Sequence, residues 1–101
     1  MLRGLMELAL MRLLRDAPEY GLEILDRLRR DAGLHLAEGT IYPLLHRLES
    51  AGAIRSEWRL GEGGARPRRY YALTDRGAAE LEALAGEWRR VSSALTSFLE
   101  S

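Results

Sequence analysis

The chain carries few residues able to make or break bonds. His35 stands between Leu34 and Leu36, and His46 follows Leu44-Leu45. Neither belongs to a carboxylate–imidazole pattern typical of catalysis or metal binding. The absence of cysteine excludes a thiolate nucleophile, a thiolate metal site and a disulfide framework, and it fits a reducing compartment. Gly61, Gly63 and Gly64 lie between two strand-like segments and open no helix, so they do not form a phosphate-binding loop. No enzymatic activity and no cofactor are expected. What remains is arginine and tyrosine. All 15 basic residues are arginine, in a chain whose net charge is zero. Between Ile54 and Arg76, six arginines (55, 59, 66, 68, 69 and 76) stand against Glu57, Glu62 and Asp75, a local balance of +3. A guanidinium matches phosphates and base edges with two parallel hydrogen bonds, so this placement points to polyanion binding. A GC-rich genome yields the same all-arginine usage, so the position of the charge is more informative than its residue type.

The elements that must position these groups follow from periodicity. With 101 residues, 47% of them apolar, the chain has room for one core. Leu2 to Arg15 reads as a helix apolar on nearly every side, which one small chain has difficulty covering alone. Arg3, Glu7 and Arg12 interrupt that run, and no stretch approaches a membrane span; the expectation is a soluble, cytoplasmic protein with no membrane partner. Asp16-Ala17-Pro18 breaks the first helix. A second starts near Glu19 or Tyr20 and ends at Asp31, before Ala32-Gly33, and Leu34 to Leu36 is extended. Glu38 to Ala51 forms a third helix, stopped by Gly52 in a left-handed conformation. Its Ile41, Leu44, Leu45 and Leu48 face inward, while Gly39, Tyr42, Pro43, His46 and Ser50 face outward with Thr40 and Arg47 at the margins.

Two strands follow. Ile54 to Leu60 alternates, with Ile54, Trp58 and Leu60 expected on the inward face, and Arg68 to Leu73 pairs with it, Tyr71 and Leu73 pointing in. Gly61 to Pro67 is a hairpin loop longer than a tight turn needs. Thr74 caps a final helix from Asp75 to about Leu99. Leu81, Leu84, Trp88, Val91, Leu95 and Phe98 recur at a 3-4-3-4-3 spacing along it, the seam of a coiled coil.

Three helices, a β-hairpin and a long helix describe a mainly α (α+β) fold, a winged helix-turn-helix with a long C-terminal dimerisation helix. Residues 1–74 form the DNA-binding unit and 75–101 the dimerisation helix. In this fold the third helix enters the major groove and the hairpin reaches the flanking backbone. The expected DNA contacts are Tyr20, Gly39, Thr40, Tyr42, Pro43, His46 and Arg47, with Arg66, Arg68 and Arg69 on the wing. A winged helix also serves as a protein-interaction module, which needs neither a polar outer face on helix three nor arginines on the wing.

The segment Glu38-Gly39-Thr40-Ile41-Tyr42-Pro43-Leu44-Leu45-His46-Arg47-Leu48-Glu49 resembles the recognition helix of PadR-family regulators. The same pattern continues through Tyr20 to Ile24, Gly52-Ala53-Ile54, Glu57-Trp58, Gly63-Gly64 and Arg68 to Thr74, as far as Gly77. The resemblance implies a homodimer on double-stranded operator DNA, usually a repressor, whose first and last helices build the dimer. Leu5, Leu81, Leu84, Leu95 and Phe98 fall at that interface. One helix after the wing is similar to the family's shorter branch, where some members hold a flat aromatic compound between subunits against a tryptophan. That likeness implies an effector pore near Trp88, Val91 and Ser92, with Gly4, Glu7 and Leu8 on the first helix. Trp88 at a heptad position also reads as plain interface packing, and the two roles are compatible.

Overall fold

The computed structural model describes residues 2–101. Its elements are α1 (Leu2–Asp16), β1 (Glu19–Tyr20), α2 (Gly21–Ala32), α3 (Glu38–Ser50), β2 (Ile54–Arg59), a 3-10 turn (Glu62–Gly64), β3 (Arg68–Leu73) and α4 (Asp75–Leu99). The three strands form an antiparallel sheet in the order β1-β3-β2. This is the winged-helix arrangement, with a long terminal helix. Among the described residues no helix is long and apolar enough to cross a membrane.

One core serves the whole body. Leu10, Met11, Leu13 and Leu14 of α1 meet Ile24 and Leu28 of α2, the Ile41-Leu44-Leu45-Leu48 stripe of α3, and Ile54 and Tyr71 of the sheet. Helix α1 is thus the central post, touching α2, α3, α4 and β3. Its apolar wrap is used mainly toward its C-terminal end; Leu5, Met6 and Leu8 toward the other end are only half-buried. The loop after α2 contributes Leu34 and Leu36 to the core, with His35 outside.

The end of α3 explains how the hairpin is aimed. Gly52 adopts φ 79°, its N–H bonds the Glu49 carbonyl, and the Ala53 N–H bonds the Leu48 carbonyl at 2.9 Å. These two bonds form a Schellman stop, which turns the chain sharply into β2. Thr74 closes the other side: its hydroxyl accepts from Gly77 N–H at 3.0 Å, capping α4, and donates to the Gly52 carbonyl at 2.6 Å. The entry of α4 is therefore bolted to the exit of α3.

Three expectations need correction. Glu19 and Tyr20 do not start α2; they form β1, pairing with Tyr71 and Tyr70. A two-residue strand is too short to show an alternating pattern, so it reads as a helix entry. Trp58 and Leu60 are not in the core. Trp58 does share the Ile54 face of β2, but only Ile54 at the start of the strand reaches the core, and the Trp58 side chain is 67% exposed. Leu60 lies past the end of β2 and is exposed. Leu81, placed at the dimer seam, is 5% exposed within the single chain and belongs to the core that docks α4 on α1. Its heptad neighbours do not follow it inward: exposure is 40% at Leu84 and 76% at Phe98.

Candidate nucleic-acid interface

Burying Ile41, Leu44, Leu45 and Leu48 turns the other side of α3 outward by necessity, because 100° per residue separates the two faces. Gly39, Thr40, Tyr42, Pro43 and His46 are all exposed there. Pro43, lacking an N–H, gives up the bond to the Gly39 carbonyl within the helix. Tyr42 is oriented by its neighbour: its ring lies so close to Gly21 that a Cβ at that position would sit 2.8 Å from Tyr42 Cζ. Glycine at the start of α2 is what admits the tyrosine.

The sheet supplies the second half of the surface. On its outer face Arg68 stacks over the Tyr20 ring at 4.3 Å, Tyr20 meets Tyr70 edge-on at 5.5 Å, and Arg59 covers Tyr70 at 4.4 Å. This alternation of cations and rings holds long side chains in fixed positions. On the opposite face Arg69 donates to Ser56 Oγ at 2.9 Å and pairs with Glu49 of α3 at 3.3 Å, while Ser56 donates to the other oxygen of Glu49. The hairpin is tied to α3 by that network. Tyr71, buried beneath it, has its hydroxyl pKa pushed up by desolvation. Arg66 is exposed in the loop between β2 and β3.

Tyr20, Gly21, Tyr42, Trp58, Arg68 and Arg69 line one open cleft of about 350 Å³, which brings α3, the start of α2 and the wing together. Of the expected contacts, Tyr20, Tyr42, Arg68 and Arg69 therefore meet. Arg47 goes elsewhere: its guanidinium pairs with Glu7 of α1 at 3.0 Å. Two residues assigned to different sites, the DNA face and the pore, thus face each other. Trp58 is the residue that sequence reasoning missed. The strand alternation gave its correct face, but nothing local revealed that the core ends before it.

The other expected site is scattered in the single chain. Gly4, Trp88, Val91, Leu95 and Phe98 are exposed, and Leu5, Leu8 and Ser92 are half-buried. A shallow depression of about 340 Å³ between α1 and α4 includes Leu8, Leu81 and Arg89, and Trp88 is not among its walls. Among the described residues no cluster of three His, Cys, Asp or Glu is placed to hold a metal.

Comparison with known proteins agrees with this architecture. The description of the transcriptional regulator PadR-like family matches residues 10–83. An uncharacterised protein of Lysinibacillus sphaericus is 30% identical over 102 residues, covering 98% of this chain and 92% of that protein. The transcriptional regulator Rv3488 of Mycobacterium tuberculosis is 47% identical over 49 residues, 48% of this chain and 44% of its own length. The crystal structure of a PadR-like transcriptional regulator from Bacillus cereus superposes with a TM-score of 0.87 at 30% identity, covering 100% of this chain and 97% of that one. The chain belongs to the PadR-like family of DNA-binding transcriptional regulators.

Proposed function

We propose that the chain acts as a homodimeric repressor that grips operator DNA with α3 and the wing and releases it when a small aromatic effector binds between subunits near Trp88. The observation that carries the DNA half is the cleft where Tyr42 of α3 meets Arg68 and Arg69 of the wing. Arginines next to an outward helix face bearing Thr40 and His46 supply both kinds of contact a specific binder needs. Phosphate contacts fix the position, and base-edge contacts read the sequence. The dimer half is supported by the row of exposed apolar side chains from Leu84 to Phe98 on α4. Leaving them in water is costly at roughly 25 cal/mol per Å². The effector rests on family likeness and on Trp88 standing in that row.

Selection of bound duplexes from a random pool tests the reading. A dimer yields a palindromic consensus with half-sites about one helical turn, ~34 Å, apart. Planar aromatic compounds that quench Trp88 fluorescence then lower affinity for the selected site. A pool that never enriches speaks for a protein-interaction module. Enrichment of a single, non-palindromic half-site removes the dimer.

A further inference from the structure

We infer that the cleft between α3, the start of α2 and the wing seats the deoxyribose–phosphate backbone of one DNA strand, with Trp58 as the apolar wall against the sugars. This rests on the DNA-binding reading above and adds a residue and a division of labour to it.

An indole is the largest apolar surface a residue offers, yet Trp58 is 67% exposed on the inward face of β2. Its cross-strand partner is Arg69, whose guanidinium sits 5.9 Å from the indole ring. Arg69 cannot swing freely, because Ser56 and Glu49 hold it. Gly21 and Leu22 of α2 and Tyr42 of α3 line the same cleft as Trp58. The lining contains two arginines and no carboxylate. Glu49 offsets the charge of Arg69, and Arg68 has no acidic partner among the described residues, so the cleft keeps a positive charge for a polyanion. Tyr20 and Tyr42 add hydroxyls that donate to phosphate oxygens. A nucleic-acid backbone combines charged phosphates with apolar sugar faces, and the cleft offers both arginines and aromatic rings. Tyr42 belongs both to the cleft lining and to the outward face of α3, so a strand lying in the cleft passes beside the helix that carries Thr40 and His46.

The backbone carries no sequence information, so the contribution of Trp58 is uniform across sequences. The test uses the full chain labelled with 5-fluorotryptophan. Two fluorine resonances arise, from Trp58 and Trp88, and a Trp58→Phe variant assigns them. Addition of a duplex is expected to shift the Trp58 resonance. Trp58→Ala should weaken selected and scrambled duplexes by the same factor, about fivefold or more on the scale of covering part of an aromatic side chain's apolar surface. Thermal melting serves as the fold control, and an exposed side chain should leave the melt unchanged. A duplex that binds, by mobility shift, without moving the Trp58 resonance overturns this inference and leaves DNA binding intact. A loss confined to one sequence overturns the backbone assignment, and failure of any duplex to bind overturns both readings.

Discussion

Helices α3 and α4 each carry an apolar stripe at helical spacing, and the stripes meet opposite fates. On α3 the stripe is covered from end to end by the body, with Ile41 and Leu45 fully buried, and the face left outside is polar. On α4 cover ends after Leu81, and the face left outside is apolar. The molecule measures 59 Å along its longest axis and 27 Å across, consistent with a terminal helix that runs past its own body. Periodicity says which face of a helix is apolar; only the neighbourhood says what covers it. The polar remainder of α3 fits a polyanion, and the apolar remainder of α4 fits a second copy of the chain.

The contrast predicts that equally drastic changes on the two stripes fail in different ways. The largest effect is expected from Val91→Asp, because two-fold symmetry would bury two unpaired carboxylates, each costing about 3–5 kcal/mol. Sedimentation should then report a folded monomer, since Val91 is not part of the core. A folded dimer would place the interface elsewhere. Leu45→Ala comes next, at about 2–5 kcal/mol for a buried leucine with no room to collapse. Here the unfolding midpoint should fall, whereas Val91→Asp lowers association; equal midpoints for Leu45→Ala and wild type would deny the covered stripe its role.

Arg66→Ala probes the polar side and should act more gently. It is expected to leave the fold unchanged, weaken all duplexes alike, and lower the slope of log affinity against log salt by about one. Changing His46 to Ala should instead alter which sequences are preferred. An Arg66 variant with new specificity and an unchanged salt slope would reverse the roles of helix and wing.

The smallest effect lies away from both stripes. Asp16 is held below the ordinary carboxylate pKa of 3.8, first by donation from Arg27 and then by Arg12. A depressed carboxylate stabilises the fold above its unfolded pKa, and that stabilisation is lost as pH falls through the lower folded value. Loss of stability below about pH 4 should therefore be shallower in Asp16→Asn. Because Asp16 is well exposed, solvent keeps the difference small. Identical acid limbs in the two proteins would show that the pairing contributes nothing.

Much of this was legible in the sequence. The α3 stripe, the Gly52 stop and the Thr74 cap each follow from local rules, and all three occur as expected. β1 was hidden because two residues carry no period. Trp58 was misjudged because alternation assigns a face without saying where the core ends. Periodicity puts Arg47 only at the margin of the outward face, where its guanidinium is long enough to reach Glu7 on another helix. That partner lies forty positions away in the chain, beyond any local pattern.

The salt dependence of duplex binding tests the central claim most directly, since it counts phosphates neutralised by the wing and α3. Log affinity should fall linearly with log salt and lose tenfold or more between ~50 and ~200 mM. Affinity that stays flat across that range, or no duplex binding at ~50 mM salt, would contradict the account.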